Sequence, residues 1–288
     1  MPDPTVSFEF FPPSTLEGSF RLWDSIQTLG PLNPDFVSVT YGADGTTRER
    51  THDAVATIHK TTGLSVAAHL TCVNASREET MAIADNYAAA GVTQIVALRG
   101  DATKGETTFQ PHADGFQSSC DLISALAETE KFDIRVGAYP ETHPEARSTI
   151  ADIDYLKAKI DAGATSAITQ FFFEAETFLR FRDACAAAGI TAPILPGILP
   201  VENWTGVQKF ARSCGASIPA VLAQAFDNAN RDSCHDLLAV AHASGLCSEL
   251  LDEGVDHLHF YTLNKPELTR DVCGALGLAP QTLLKNVA

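Results

Sequence analysis

Positive charge is scarce in this chain. Twenty Lys and Arg stand against 36 Asp and Glu, a formal charge of −16, which repels nucleic acid and anionic membrane surfaces rather than attracting them. The seven cysteines (Cys72, Cys120, Cys185, Cys214, Cys234, Cys247 and Cys273) include no C-x-x-C pair. They read as reduced, mostly buried thiols of a cytoplasmic protein, not as a disulfide frame. Nowhere do about 18 apolar residues run uninterrupted, and MPDPTVSFEF has no basic stretch leading into an apolar one, so neither a membrane span nor a secretory leader is expected. Neither G-x-G-x-x-G after a strand nor G-x-x-x-x-G-K-[ST] occurs, so any dinucleotide must be held without a Rossmann turn or a P-loop. These absences leave a small molecule as the expected partner.

What the chain does have is alternation. Short β-branched or apolar runs at Val6–Phe11, Phe36–Tyr41, Ser65–Leu70, Gln94–Leu98, Ile134–Tyr139, Ser166–Phe171, Ile194–Ile198 and His257–Tyr261 read as eight strands. Helical patterns lie between them at Thr46–Lys60, Ser76–Ala90, Asp114–Glu128, Ser148–Ala162, Glu174–Ala188, Asn203–Ser213 and Asn230–Glu253. Several end at Gly ("AAAGV", "DAGAT", "AAAGI", "DEGVD"), the usual close of a helix that feeds a strand. No Pro/Ser/Gly-rich linker divides the 288 residues. Eight consecutive units in one chain favour a single (β/α)8 TIM barrel, with a doubly wound open sheet as the alternative of the same period.

A barrel requires chemistry where strands end. Thr40-Tyr41, His69, Arg99-Gly100-Asp101, Tyr139-Pro140-Glu141, Gln170 and Tyr261 to Asn264 all fall at such ends. The first strand carries Glu9 among Phe8, Phe10 and Phe11, just before Pro12-Pro13 stop it. Alternation puts Ser7, Glu9 and Phe11 on one face and Phe8 and Phe10 on the other. A buried carboxyl is rare unless it is paired or used.

Other signals are weaker. His257 and His259 share one strand face and His69 ends another strand, but no carboxylate-rich partner set accompanies them, so hydrogen-bonded imidazoles are expected and no metal. Lys265 follows the eighth strand, where an exposed loop lysine is the simpler reading than a Schiff base. In "YPETHPEARSTIADIDYLKAKIDAG", His143, Arg147, Lys157 and Lys159 surround a helix start, which suits a phosphate as well as it suits a capped surface helix.

The motifs "SFEFFPP", "DFVSVTYGA", "AAHLTC", "IVALRGD", "AYPETHPEA", "AITQFFF", "PGILPV" and "HFYTLN", in this order from Val6 to about Gly277, together resemble bacterial methylenetetrahydrofolate reductase. That resemblance implies a barrel carrying non-covalent FAD, reduced by NADH or NADPH, which passes hydride to 5,10-methylenetetrahydrofolate in a ping-pong cycle. It implies one flavin-binding catalytic domain over residues 1–288, without a regulatory domain and indifferent to S-adenosylmethionine. Self-association into a homo-oligomer is the protein partnership considered. By motif, Glu9 matches the family's acid and Asp101 the carboxylate near the flavin and the pterin. Thr40, Tyr41, Ala43, His69, Arg99, Gly100, Tyr139, His143, Asp152 and Lys159 match flavin contacts, with Asp101 counted among them. Gln170, Phe210 and Lys265 match positions that meet folate or nicotinamide.

Some positions depart from the family pattern: Lys265 stands for Arg, Gly206 for Gln, and Tyr155 and Ala158 for Asn and a basic residue. The loop "ATKGETTFQPHADGF" is longer than in some relatives. The alternatives are another flavin barrel resembling proline dehydrogenase, which would not need Glu9, and a folate- or flavin-binding protein without turnover. On the reductase reading, Glu9 opens the folate's five-membered ring by protonating the departing nitrogen. Desolvation by Phe8, Phe10 and Phe11 is then expected to raise its pKa.

Overall fold

A computed structural model of the chain describes residues 4–41, 48–100 and 109–280. In chain order the elements are β1 (Thr5–Phe10), α1 (Leu16–Leu29), β2 (Phe36–Val39), α2 (Arg48–Thr62), β3 (Val66–Thr71), α3 (Arg77–Ala89), β4 (Gln94–Leu98), α4 (Ser119–Ala127) and β5 (Asp133–Ala138). They continue with α5 (Thr149–Asp161), β6 (Ser166–Phe171), α6 (Ala175–Ala187), β7 (Ile194–Ile198), α7 (Trp204–Cys214), α8 (Ala220–Arg231), α9 (His235–Asp252), β8 (His257–Tyr261) and α10 (Pro266–Ala275). The eight strands are parallel and close in sequence order, β8 pairing with β1. The open-sheet alternative is thereby excluded.

Local chemistry explains the boundaries. Ser76 and Glu79 form a capping box at the start of α3, and Ser118, Ser148 and Asn203 cap α4, α5 and α7 with side-chain oxygens on backbone N–H groups. Gly215 closes α7 in the left-handed region that glycine enters without strain. All eight expected strands form, with ends shifted by no more than two residues.

Three helices were not expected. In α1 only Leu22, Ser25, Ile26 and Leu29 are buried while Leu16, Phe20 and Trp23 are exposed, which blurs the apolar stripe. The second, α8, lies before the expected helix Asn230–Glu253, which forms as α9, and Ser233 at positive φ separates the two. The last, α10, follows β8 almost directly and starts with Pro266 in its first turn.

Alternation along the strands sorts side chains into two layers. Phe8, Phe10, Val37, Val39, Leu258 and Phe260 face outward and pack in the apolar core that the helices cover. Inside the barrel, Phe36, Ala67, Val96, Ile168 and Leu195 form a smaller apolar cluster. The rest of the lumen carries polar groups, and these lead to the site.

Candidate active site

The register of the first and last strands sets the centre of the site. Ser7 lies opposite His259 and Glu9 opposite Tyr261, so β1 and β8 direct a hydroxyl, a carboxyl, imidazoles and a phenol into one lumen. His69 comes in from β3. Its Nε2 is 3.3 Å from Glu9 Oε2, and His259 Nε2 is 3.9 Å from the same oxygen. Neither buried imidazole nitrogen has a hydrogen-bond partner. Both are aimed at the carboxylate, whose side chain is 15% exposed.

This arrangement corrects the expectation for Glu9. Phe8 and Phe10 lie on the outer layer, Phe8 against Phe260, and Phe11 is 41% exposed, so these phenylalanines do not wall in the carboxyl. Burial does push it up, but the imidazoles of His259 and His69 outweigh burial and hold it at about 2. Glu9 is therefore a carboxylate at neutral pH, where the sequence predicted a raised pKa. Burial in turn keeps His259 below the ordinary imidazole range, with Glu9 pulling the other way.

The backbone around Glu9 is fixed by the "YTLN" segment after β8. Thr262 donates its hydroxyl to the Glu9 carbonyl at 2.7 Å. Asn264 accepts from Phe11 N–H and donates to Phe11 C=O, both at 2.9 Å. Asn264 has φ +54, a left-handed conformation that asparagine tolerates. In this way the side chain continues the pairing that Pro12-Pro13 prevent the backbone from making.

Beside this centre, a cavity of about 490 Å³ opens between the ends of β3, β4 and β5 and the start of α5. Its wall includes Tyr41, Arg99, Gly100, Tyr139, His143, Asp152 and Lys159, seven of the expected flavin contacts. His69 sits instead at Glu9, and Thr40 follows β2 next to Tyr41, outside the cavity lining. Ala43 and Asp101 lie outside the described residues. Gly100 stands at φ +90, a conformation other residues rarely adopt, and a β-carbon there would press on Val73 and Thr71.

Cations gather at one end of the cavity. Lys159 donates to the Gly137 carbonyl at 2.9 Å and lies 5.0 Å from the centre of the Tyr155 ring. Burial lowers its pKa to about 8. Arg99 pairs with Glu145 at 2.6 Å, and Asp152 accepts from the backbone N–H of His143. Arg147 also reaches this wall, whereas Lys157 pairs with Asp161 and does not. A cavity with both polar and apolar walls, a glycine turn and buried or half-buried cations beside a helix N-terminus suits a flavin dinucleotide in donor chemistry.

Toward β6 and β7, the Gln170 side-chain oxygen accepts from Phe171 N–H. Phe210 on α7 is 40% exposed and its ring lies 5.0 Å from that of Phe171. Lys265 is exposed at the N-cap of α10. Gly206 donates to Asn203 Oδ1 within the α7 cap. Tyr155 bonds Ser119 and lines the cavity, and Ala158 is exposed.

Two features escaped the sequence reading. Glu202, between β7 and α7, has a buried oxygen without a hydrogen-bond partner, and burial pushes its carboxyl up to about 7 despite Lys265. Only its position after a strand could have marked it. Ser7 bonds both His257 and His259, which bears out the expectation of hydrogen-bonded imidazoles for these two but not for His69, whose Nε2 has no hydrogen-bond partner. Among the described residues, no group of three or more His, Cys, Asp or Glu is arranged to hold a metal ion, and no helix is long and apolar enough to cross a membrane.

Titratable and aromatic side chains from separate strands thus converge on the C-terminal mouth of a (β/α)8 barrel, the position of the active site in enzymes of this fold. The chain belongs to the methylenetetrahydrofolate reductase family, an oxidoreductase family whose model matches residues 2–277. It is 48% identical over 276 residues to the 5,10-methylenetetrahydrofolate reductase of Escherichia coli (strain K12), covering 96% of this chain and 91% of that one. The Pectobacterium carotovorum enzyme of the same name is equally similar, at 48% over the same shares. Methylenetetrahydrofolate reductase (NADH) 1 of Arabidopsis thaliana is 32% identical over 97% of this chain and 49% of its own length.

Among solved structures, a Clostridium thermocellum protein that binds two copies of 5-methyl-5,6,7,8-tetrahydrofolic acid superposes with a TM-score of 0.62 at 14% identity, covering 96% of this chain and 95% of that one. Dihydropteroate synthase from Xanthomonas albilineans, in complex with 7,8-dihydropteroate, gives 0.53 at 14%, covering 96% and 92%. At such identities the likeness shows the fold alone.

Proposed function

We propose that the chain reduces 5,10-methylenetetrahydrofolate to 5-methyltetrahydrofolate, with FAD as resident cofactor and NADH or NADPH as hydride donor, the two substrates taking turns in a ping-pong cycle. The observation that carries this reading is the Glu9 carboxyl, set between two buried imidazoles at the mouth of a barrel of this family. When bound, FAD supplies the hydride acceptor and donor that connects nicotinamide with the folate's methylene carbon. The remaining work belongs to the protein, and the described barrel is the catalytic unit that does it.

Tyr41, Arg99, Gly100, Tyr139 and His143 line the cavity that takes the flavin, and Lys159 and Arg147 supply charge for a pyrophosphate near the α5 N-terminus. Phe210 offers a flat apolar face to pterin or nicotinamide, Gln170 an amide, and Lys265 a cation for the folate's carboxylated tail. Asp101 keeps the role given by its motif, a fixed negative charge that favours the cationic 5-iminium of folate.

Glu9 protonates the nitrogen that departs when the folate ring opens, so it must carry a proton when substrate is bound. The imidazoles that keep it ionised in the open mouth are also proton carriers. Once a ligand covers the mouth and excludes water, a neutral acid beside a neutral imidazole costs less to bury than the corresponding ion pair. A proton taken up from solvent through the buried imidazoles then resides on the carboxyl. Substrate binding thus arms the acid.

The direct test is anaerobic. NADH or NADPH should bleach the yellow protein, and methylenetetrahydrofolate should restore the colour while forming 5-methyltetrahydrofolate. A protein that binds no FAD, or that bleaches without recovering, is not this reductase.

A further inference from the structure

A file of polar side chains runs along the barrel lumen. At its upper end is Glu9, with His259 Nε2 at 3.9 Å. The other ring nitrogen of His259, Nδ1, is 2.7 Å from Ser7 Oγ, and the same hydroxyl is 2.8 Å from His257 Nε2. Ser7 and His259 are fully buried. His257 is not, and it lines a separate cavity of about 190 Å³ at the opposite end of the barrel, among Arg182, Ile190, Ile194, Gly254 and Asp256. Phe36 braces both imidazoles, its ring 5.8 Å from that of His257 and 5.6 Å from that of His259.

We infer that His257, Ser7 and His259 form a proton relay that recharges Glu9 from the N-terminal end of the barrel, while the C-terminal mouth is closed by ligands. This rests on Glu9 being the acid of the proposed reaction. With Glu9 ionised, His257 Nε2–H donates to Ser7 Oγ, Ser7 O–H donates to His259 Nδ1, and His259 Nε2–H faces the carboxylate. A water proton binding at His257 Nδ1 shifts each proton one place: His257 Nε2–H to Ser7, Ser7 O–H to His259 Nδ1, and His259 Nε2–H to Glu9.

The column then holds one proton more, now on the carboxyl, and every hydrogen bond has reversed direction. Glu9 gives that proton to the substrate nitrogen, and the imidazoles regain their first tautomers by ring rotation and exchange with solvent.

The design of the column supports a concerted shift. A hydroxyl between two imidazoles is the one group that can donate to either and accept from the other. Arg135 also faces the column, its guanidinium 4.0 Å from the centre of the Phe36 ring and bonded to Ser166 and Gln94, with Asp35 beyond it. Its charge, with burial, disfavours a standing imidazolium at His257 or His259. A proton therefore passes without residing. The gap of 3.9 Å closes by rotation of the Glu9 carboxylate, which would also pair the His259 Nε2 that is otherwise buried alone.

The test compares Ser7→Ala and His257→Ala in the FAD-loaded enzyme by stopped flow under multiple turnover. Flavin reduction by NADH should keep its rate in both, while oxidation by methylenetetrahydrofolate should fall about tenfold or more. Imidazole in the buffer, entering by the lower cavity, should restore His257→Ala but not Ser7→Ala. If His257→Ala does not fold, His257→Gln, which keeps a donor but cannot relay, should show the same loss. Unchanged folate kinetics in these variants, or a loss in His257→Ala that imidazole leaves untouched, would overturn the relay.

A second readout needs no cofactor. Nitrogen NMR of the flavin-free protein should show His259 as one neutral tautomer, and as a mixture in Ser7→Ala. An unaltered His259 would also overturn the relay. A wild-type enzyme that fails both half-reactions would instead overturn the proposed function, leaving the tautomer result to stand alone.

Discussion

Thr262 donates its side-chain hydroxyl to the backbone carbonyl of Glu9 at 2.7 Å, while its own N–H reaches the same oxygen at 3.3 Å. One residue after β8 therefore sets the height of the carboxyl in the lumen. Thr262→Val keeps the shape and removes the hydroxyl. It should lower unfolding stability by about 1 kcal/mol, the net worth of one hydrogen bond, and slow the folate half-reaction more than flavin reduction. Chemical denaturation and the two half-reactions read out the two effects.

Lys159 predicts how FAD binding responds to pH. Its ammonium, lowered to about 8 by burial, is charged below that value and neutral above it. FAD affinity should fall as pH rises beyond about 8, and Lys159→Met should weaken binding by ~1.5–3 kcal/mol, the range of a hydrogen bond to a charged group. In the variant the decline above pH 8 should flatten. Fluorescence titration with FAD across pH measures both.

Glu202 carries the opposite kind of cost. Its carboxyl is raised from 4.5 to about 7, so the folded state binds its proton more tightly than the unfolded one, and the stability so gained is lost as pH climbs from 4.5 through 7. Glu202→Gln cannot ionise. It should melt higher than wild type at pH 8 and show little gain at pH 5. Thermal melts at the two pH values settle it, and equal shifts at both would place the carboxyl in water.

Gly197 on β7 has no room for a side chain. A β-carbon there would run into the Thr169 carbonyl and the ring of Tyr261, whose hydroxyl bonds that same carbonyl at 2.6 Å. Gly197→Ala should cost roughly 3 kcal/mol by overpacking and push Tyr261 away from its place beside Glu9. A melt combined with the folate half-reaction would show both losses in one variant.

The strands were legible because β-branched runs bounded by glycine and polar turns repeat eight times, and their number favoured a barrel over the open sheet that the β1–β8 pairing excludes. Helices α1 and α10 were less so, since the first exposes Phe20 and Trp23 on its surface and the second begins directly after the "YTLN" turn.

At the site, alternation correctly placed Ser7 and Glu9 on one face. It could not say what else that face would meet. His69 and His259 reach Glu9 only because β3 and β8 close around the same lumen, and parity within a single strand carries no information about that. The phenylalanines beside Glu9 in sequence point to the helices instead, which is why the expected upward shift of its pKa is replaced by a downward one. Tyr261 to Asn264 were read as chemistry at a strand end, yet Thr262 and Asn264 hold the end of β1 in place.

Glu9→Gln tests the central claim most directly, because the amide keeps the size of the side chain and removes its proton. Stopped-flow measurement under anaerobic conditions separates the two half-reactions. Flavin reduction by NADH or NADPH should stay within a few-fold of wild type, and oxidation by methylenetetrahydrofolate should fall by about 10²–10⁴, the usual worth of a general acid. If both half-reactions slow together, Glu9 positions the flavin; if neither slows, the proton that opens the folate ring comes from another group.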